Sequence, residues 1–468
     1  MYRRRLALTV ATAALAASGC APAARIEPLP VLQSTAWSDA VSDAGHSPDA
    51  PLAALLGSPE LGALISRALA RNTDIAIAET RVAQASALLR GARQAALPSL
   101  TLSGGASRAR TFGEGLPDVR SGFSQLDFDL DLDLFGKLRA QKNAAAARAR
   151  AAGLEVQAVK LTVETDVATA YVQRAALAQR IEILDKSIAR AVEIERIIRV
   201  RVEAGDATKV DLGLQSVQLL NLRQQRSQLV QSLDQTRTAL ALLAGEEAPL
   251  FQLTPGRLGD LARPDLAPPH PAELLAARPD IGAAEALIEG ANGDVKAARA
   301  SFFPQIGVSV SGLLSNAIAG PLGKTVTLGS SLLAPIFSRG KLESDLAYAT
   351  ATHAQTVESY RQTILTALKE TEDARTAMNR SAERAALMQE LVAQATLTAK
   401  LANTQYIEGE QDVRYLLDAE QQLNEAEDAQ VVAEQEQLAA RIALYRAVGG
   451  AQPTLVRQAD AAIPRLAY

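Results

Sequence analysis

A strand that runs without a loop into a very long helix, found twice, limits what this chain can fold into. From Leu126 to Leu134 apolar residues alternate with aspartates, and at Gly136 the pattern changes to that of a long, proline-free helix. A second strand changes to a helix at Gly340. Because alternate strand residues point to opposite faces, the first strand has an apolar face and an acidic face. This pattern is typical of a sheet with an apolar exterior and a wet interior.

The two junctions belong to an internal duplication. Equivalent landmarks recur at a nearly constant spacing of about 204 to 206 residues. The pairs are Asp74 and Asp280, Pro98 and Pro304, Gly136 and Gly340, Gly205 and Gly409, and Gly245 and Gly449. After Gly205 most heptad positions are apolar, which predicts an antiparallel coiled-coil hairpin. Each copy therefore predicts two strands and one helical hairpin.

These landmarks set the predicted boundaries of the chain. The segments are a signal peptide (1–19), an extended N-terminal segment (20–57), repeat 1 (58–250), a linker plus repeat 2 (251–450) and a C-terminal tail (451–468). Repeat 1 is predicted to contain strands 99–110 and 122–135 and the hairpin 137–245. Repeat 2 is predicted to contain strands 303–314 and 325–337 and the hairpin 340–449.

The N-terminus predicts a lipoprotein signal peptide. Three arginines at residues 3–5 precede an apolar run and Cys20, the only cysteine of the chain. A lone cysteine cannot form an internal disulfide, so we expect cleavage before Cys20 and its acylation, with palmitate among the chains. Ala21 in place of an aspartate favours the outer membrane. The alternative is an ordinary secretory signal with an incidental cysteine.

Composition argues against several functional classes. Aromatic residues make up only 4% of the chain and hydrophobic residues 48%, a balance that favours long helices. The net charge is −4 without a basic stripe, so we expect no nucleic-acid partner. His46, His270 and His353 are scattered, and no metal-ligand spacing or nucleophile motif is present. The sequence thus predicts neither an enzyme nor a cofactor beyond the lipid on Cys20.

Two strands per repeat are too few to enclose a pore. Outer-membrane barrels start at about eight strands. Unpaired strand edges would also be intolerable in lipid. We therefore expect the chain to oligomerise and to pool its strands and helices with those of other copies.

Motifs in both repeats resemble those of TolC-type outer-membrane efflux proteins. The resemblance is to the lipoprotein branch of that family, which includes OprM and the NodT-like proteins. The residues that carry it are Cys20, Asp133–Gly136, Arg278–Ile281, Phe302–Ile306, Pro335–Phe337 with Arg339 and Gly340, and Leu444–Gly450.

The resemblance implies a mainly α fold with a small β-barrel part. Three copies would form a homotrimer with a twelve-stranded β-barrel, four strands per chain, continuous with a long periplasmic α-helical barrel. Residues 20–57 and 451–468 would lie at its equator. The implied function is a passive exit duct for drugs and other small molecules in the cell outer membrane, extending into the periplasm. The implied partners are a periplasmic adaptor protein and an inner-membrane transporter of the resistance-nodulation-division kind.

The acidic strand supplies the first candidate site. If the leucine face meets lipid, the aspartates line the pore and bias it towards cations. The alternative is that they are merely solvated polar positions. The four residues are Asp127, Asp129, Asp131 and Asp133.

The second and third candidate sites lie at the hairpin ends. The resemblance places an acidic ring of a closed gate at Asp418, with Tyr406 and Arg414 as further candidates. The first repeat has Leu214 at the position equivalent to Asp418. Simple exposure of Asp418 is the alternative. The tips are candidates for adaptor contact or else solvated turns; their residues are Asp206, Ala207, Glu410 and Gln411.

Two other functions remain open. A heavy-metal efflux channel would be expected to be rich in methionine or histidine, and three of each argue mildly against it. A periplasmic coiled-coil scaffold without a pore would use the helices alone, and the alternating strands argue against it.

Overall fold

The computed structural model of the chain describes residues 50–109, 119–253, 256–268, 270–317 and 323–451. The predicted signal peptide, Cys20, most of the segment 20–57 and residues 452–468 lie outside these ranges, so what is expected of them stays a prediction. Within the described ranges, no helix is long and apolar enough to cross a membrane.

The elements follow the same order twice. They are α1 (Leu52–Leu55), α2 (Pro59–Arg71), α3 (Thr73–Gln94), β1 (Ser99–Ala109), β2 (Val119–Asp131), α4 (Lys137–Ala204), α5 (Lys209–Leu243), α6 (Pro271–Ala277), α7 (Pro279–Ala300), β3 (Gln305–Ala317), β4 (Gly323–Leu333), α8 (Arg339–Glu408) and α9 (Val413–Ala447). The succession α3, β1, β2, α4, α5 recurs as α7, β3, β4, α8, α9. This order confirms the predicted mainly helical fold, its internal repeat and its four strands.

The four strands form one antiparallel sheet in the order β1-β2-β3-β4. The pairing of β2 with β3 joins the two repeats. β2 ends at Asp131 rather than at residue 135, because the chain turns there and Gly136 takes a φ of +76°. β4 ends at Leu333 rather than at residue 337, because Pro335 nearby has no N–H to donate. The other strand bounds differ from the predicted ones by three residues or fewer.

The chain divides into two compact units. The described part of the first unit is residues 80–109, 119–154, 281–317 and 323–363. In this unit α7 packs closely on α4, since a Cβ at Gly293 would lie 2.8 Å from the Cβ of Ala144. Two ion pairs join the same helices, Arg148 with Asp294 and Arg150 with Glu289.

The second unit contains the larger core. Its described part is residues 50–79, 155–253, 256–268, 270–280 and 364–451. Side chains from both repeats form the core, among them Leu52, Leu61, Leu240, Phe251 and Tyr445. Arginines bind carbonyl groups of the proline-rich linker: Arg174 to Leu253 (3.2 Å), Arg237 to Ala248 (2.9 Å) and Arg441 to Pro264 (2.9 Å). These bonds satisfy carbonyls that no helix or strand pairs.

The return helix α5 buries the apolar seam that its heptads predict. Leu219, Leu222 and Leu240 are buried in this seam, and so are the polar side chains of Gln215 and Thr236. The Gln215 amide group donates to the carbonyl of Ala191 on α4 at 2.5 Å. The seam therefore accepts a polar side chain where the opposite helix offers an acceptor.

Glu164 is a half-buried carboxylate beside the core of the second unit. Its Oε1 accepts hydrogen bonds from the amide of Leu52 (3.3 Å) and the hydroxyl of Tyr445 (3.4 Å). Burial raises the pKa of Glu164 by more than these two bonds lower it. Burial, together with the charge of Glu164, raises the pKa of Tyr445 to about 12. Because the folded-state pKa of Glu164 is raised, its stabilising contribution is present at low pH and is lost as the pH rises through that pKa.

We expect Glu164→Gln to become more stable than the natural protein as the pH rises. Glutamine removes the half-buried charge and keeps an oxygen that accepts from Leu52. The difference in unfolding midpoint, measured at about pH 4 and about pH 8, should shift in favour of the variant at the higher pH. Glu155→Gln, on an exposed part of the same helix, is the control. A difference independent of pH would contradict the assignment of Glu164.

Candidate functional site

The sheet places the aspartates of β2 beside hydroxyl side chains. Asp127 lies opposite Thr101 of β1 and Ser311 of β3, and Asp129 has a serine on either side. Directly opposite residues of antiparallel strands share one face of the sheet. The same face also carries Asp131, Gly307, Thr327, Gly329 and Ser331. Most of this face is therefore polar, made of carboxylates, hydroxyls and glycines, although Phe123, Leu313 and Leu333 also lie on it.

The other face of the sheet is apolar and open. Large side chains on it are exposed in the single chain: Leu100, Leu102, Leu126, Val326, Leu328 and Leu332. Leu328, for example, is 75% exposed. Monomeric soluble proteins rarely expose a contiguous apolar face of this kind. The face therefore needs lipid or another apolar surface against it.

Asp133 is not part of the acidic strand. It lies beyond the end of β2, and its carboxylate accepts hydrogen bonds from the amides of Leu138 (3.0 Å) and Arg139 (2.8 Å). The prediction that Asp133 continues the strand pattern is wrong, because the chain turns after Asp131. Its carboxylate instead satisfies amides of the first turn of α4, which have no partner within the helix.

Tyr406 is the buried member of the predicted gate. It is 4% exposed and belongs to an apolar cluster of α4, α8 and α9. The Arg201 guanidinium lies 4.5 Å from the centre of its ring, and Arg201 donates to the carbonyl of Ile407 at 2.9 Å. Burial raises the pKa of Tyr406. No sequence pattern indicated Arg201, because a contact between separate helices leaves no fixed spacing along the chain.

Asp418 and Arg414 lie exposed on α9. Asp418 accepts a hydrogen bond from Gln422, one turn further along the helix, at 2.9 Å. The amide of Arg414 donates to Asp412, which caps the helix. Their gate roles stay predictions.

The two hairpin tips are tight turns. Gly205 and Gly409 take φ values of +87° and +79°, a conformation that favours glycine. Asp206, Glu410 and Gln411 are exposed there, and Ala207 is half-buried. Adaptor contact by these residues stays a prediction.

A polar seam between α4 and α9 joins the two hairpins. Its bonds are Arg180 with Asp428 (2.6 and 2.9 Å), Ser187 with Asn424 (2.9 Å), and Arg190 with Glu420 (3.0 Å) and Glu427 (3.3 Å). The heptad pattern describes the contact between the two helices of one hairpin. It therefore did not predict this seam, which lies between helices of different hairpins. The acidic residues spaced along the start of α9 were the only signal.

No group of three or more His, Cys, Asp or Glu side chains in the described part of the chain could hold a metal ion. His353 is buried within α8, and His270 directly precedes α6. The absence of a cofactor stays a prediction.

The duplication and the shared sheet agree with a match to a known family. The model of the outer membrane efflux protein family matches the chain twice, at residues 64–246 and 270–450. The chain therefore belongs to this family. It is an efflux channel of the outer membrane.

Two relatives show the extent of the similarity. Pyoverdine export outer membrane protein OpmQ of Pseudomonas putida is 31% identical over 425 residues, which cover 88% of this chain and 90% of the relative. Toluene efflux pump outer membrane protein TtgI of Pseudomonas putida is 30% identical over 407 residues, which cover 84% and 85%. The similarity thus extends over most of both chains.

Solved structures show the same fold. The outer-membrane channel OprN has a TM-score of 0.82 at 26% identity, with 92% of this chain and 99% of OprN covered. CusC, whose structures concern folding and transmembrane channel formation, has a TM-score of 0.80 at 25% identity, with the same coverage. The fold is therefore that of outer-membrane channels.

We expect Asp133→Ala to lower the free energy of unfolding by about 1 kcal/mol, the usual value of a lost helix cap. The variant leaves two amides of α4 without their acceptor. Asp129→Ala, on the polar face of the sheet, is the control, since Asp129 caps no helix. Denaturant unfolding of both variants measures the effect, and an equal loss in the two would contradict the capping role.

Proposed function

We propose that three copies of the chain form one passive exit duct through the outer membrane. A periplasmic adaptor protein and an inner-membrane transporter of the resistance-nodulation-division kind would complete the pump. The observation that carries the proposal is the sheet, which has one apolar face, one polar face and two edges that pair with no other described strand. The apolar face would meet lipid, the polar face would line the duct, and the lipid on Cys20 would anchor the N-terminus.

The free edges of the sheet support pooling of strands. β1 and β4 are the outer strands of the sheet, so each has one side that pairs with no other strand within the described residues. Unpaired backbone groups cost several kcal/mol each in lipid. Pairing β1 of one copy with β4 of the next would satisfy both edges. Three copies would then supply twelve strands, more than the roughly eight that a closed outer-membrane sheet requires.

Exposed apolar stripes on the long helices of the second unit support the same assembly. α5 exposes Val210, Leu214 and Val217, which share one helix face. α8 exposes a similar stripe made of Leu387, Leu391 and Leu401. Contact between α5 of one copy and α8 of the next would bury both stripes, and each leucine buried contributes roughly 1.5 to 3 kcal/mol.

The polar face sets the proposed properties of the duct. Three copies would place nine strand carboxylates, from Asp127, Asp129 and Asp131, along its wall and bias it towards cations. Hydroxyl and carboxylate groups on an open face favour passage over tight binding. The chain would therefore act neither as an enzyme nor as a cofactor-binding protein.

The relatives indicate the class of cargo. They are named for export of pyoverdine and for efflux of toluene, two organic molecules of very different polarity. We propose small organic compounds as the cargo of this chain, with selection by the transporter. A duct that contacts its cargo only in passing has no need for a shaped site.

The proposal predicts a trimer whose loss sensitises the cell. The purified, lipidated protein should have the mass of three copies, because one chain leaves both sheet edges open. A deletion strain should become more sensitive to antibiotics, dyes and organic solvents, and complementation should restore resistance. Sensitivity to metal salts alone would favour a heavy-metal channel. A stable monomer that is soluble once delipidated would contradict the proposal and favour a scaffold without a pore.

We expect Asp418→Ala to raise the conductance of the reconstituted trimer. Three copies of Asp418 would form an acidic ring, and removal of the ring would loosen the closed gate. Glu425→Ala is a matched control, because Glu425 accepts from Gln421 on the same helix just as Asp418 accepts from Gln422. Single-channel recording distinguishes the two variants, and equal conductance in both would exclude the gate role of Asp418.

A further inference from the structure

Four helix termini surround one end of the sheet in the first unit. Ser99, at the start of β1, pairs with Asp129 near the end of β2, and Gln305, at the start of β3, pairs with Leu333 at the end of β4. The ends of α3 and α7 and the starts of α4 and α8 therefore adjoin the same end of the sheet. We call this the helical end.

Positive charge is in excess along the helices that meet at the helical end. Residues 80–94, 137–154, 281–300 and 339–363 contain 13 lysines and arginines but six aspartates and glutamates, although the whole chain has a net charge of −4. Five of these acids already bind a cation: Asp294, Glu289, Glu343, Asp345 and Glu358. Six cations near these helix termini define what we call the basic belt: Arg90, Arg93, Lys137, Arg139, Lys142 and Lys296.

Part of this charge opposes the local helix electrostatics. The N-terminus of a helix carries a partial positive charge, so cations there are unfavourable by roughly 0.3 to 1 kcal/mol each. Lys137 and Arg139 nevertheless begin α4, and Arg339 and Lys341 begin α8, and neither first turn contains an acid. At α8, Arg339 and Lys341 are already paired with Glu343 and Asp345, and at α4 the Asp133 carboxylate offsets part of the cost. An anion bound at the helical end would offset what remains at α4.

An apolar rim lies in the connections between the sheet and the belt. Its members are Leu97, Leu134, Phe135, Ile336 and Phe337, all exposed in the single chain. Phe135 stacks on Phe303 with ring centres 4.8 Å apart, whereas Phe337 is fully exposed. Along this unit, the apolar face of the sheet is thus followed by the apolar rim and then by the basic belt.

We infer that the helical end binds the headgroups of anionic phospholipids in the membrane leaflet next to the helices. The inference rests on the proposed function, because it takes the apolar sheet face as the part within lipid. The rim would lie at the boundary between acyl chains and headgroups, as amphipathic surfaces do. The belt would bind the phosphate oxygens through charge-assisted hydrogen bonds.

The dimensions of the belt fit a headgroup layer. At 1.5 Å per residue, Lys137 and Lys142 are about 8 Å apart along α4. Arg90 and Arg93 lie within the last turn or so of α3, which ends at Gln94. One headgroup layer is about 6 Å thick. The cations thus occupy a band about as deep as one headgroup layer. The belt should favour lipids with a net negative charge over zwitterionic lipids, because only the former carry uncompensated charge.

The test is a titration of the full-length, lipidated protein in detergent with fluorescent phosphatidylglycerol and, separately, fluorescent phosphatidylcholine. The natural protein should bind phosphatidylglycerol more tightly. Each cation near an anionic lipid surface contributes roughly fivefold in affinity, so Arg90→Gln, Arg93→Gln and Arg139→Gln together should weaken phosphatidylglycerol binding by roughly 100-fold at low salt. Binding of phosphatidylcholine should be unchanged.

The control removes the same charge from exposed cations of the second unit. It combines Lys209→Gln, Arg223→Gln and Lys400→Gln and should keep the preference for phosphatidylglycerol. Equal affinity of the natural protein for the two lipids, or an equal loss in the control, would overturn the inference. The inference would also be overturned if the trimer of the variant Arg90→Gln, Arg93→Gln and Arg139→Gln dissociated in detergent without phosphatidylglycerol. That result would show that these cations bind a neighbouring copy.

Conductance in phosphatidylcholine bilayers separates this inference from the proposed function. A natural protein that conducts ions without preferring phosphatidylglycerol overturns only the lipid inference. A natural protein that forms no pore overturns the proposed function.

Discussion

Backbone hydrogen bonds pair β2 with β3 and so join the two repeats in one sheet, but in the part of the chain that the structure describes no strand pairs with the outer edges of β1 and β4. The apolar face of the same sheet is exposed, with leucines and valines directed away from any core of the chain. Both features are unfavourable for a single chain in water. The proposed trimer removes both at once, since neighbouring copies would pair the edges and lipid would cover the face.

The two repeats contribute alike to the sheet but differ in the side chains of their hairpins. Each repeat gives two strands of similar length, yet Asp418 of the second hairpin has Leu214 as its counterpart in the first. The α4–α9 seam is likewise made of arginines from the first repeat and acids from the second. A duplicated backbone with divergent side chains allows one hairpin to take a role that the other lacks.

Cations at a helix N-terminus, where the helix dipole disfavours positive charge, are informative about function. Cations at the starts of α4 and α8 are unfavourable with respect to the helix dipole, and Asp133 at the first of these junctions accepts from two amides of α4. A capping carboxylate stabilises the helix, whereas the cations beside it do not. The cations at the start of α8 are paired with Glu343 and Asp345, so it is the cations of the basic belt that point to an external anion. The belt and the apolar rim together would bind that anion.

The sequence by itself determined the period of each element, because alternation and heptads follow directly from the geometry of strands and helices. It determined the duplication and the family, and it predicted the aspartates of β2 as one face of a strand. The tertiary structure decided what depends on contacts between distant residues. It assigned Asp133 to a helix cap, placed Arg201 over Tyr406 and joined the hairpins through Arg180 and Arg190. Such contacts have no fixed spacing along the chain, so no pattern within one element could have predicted them.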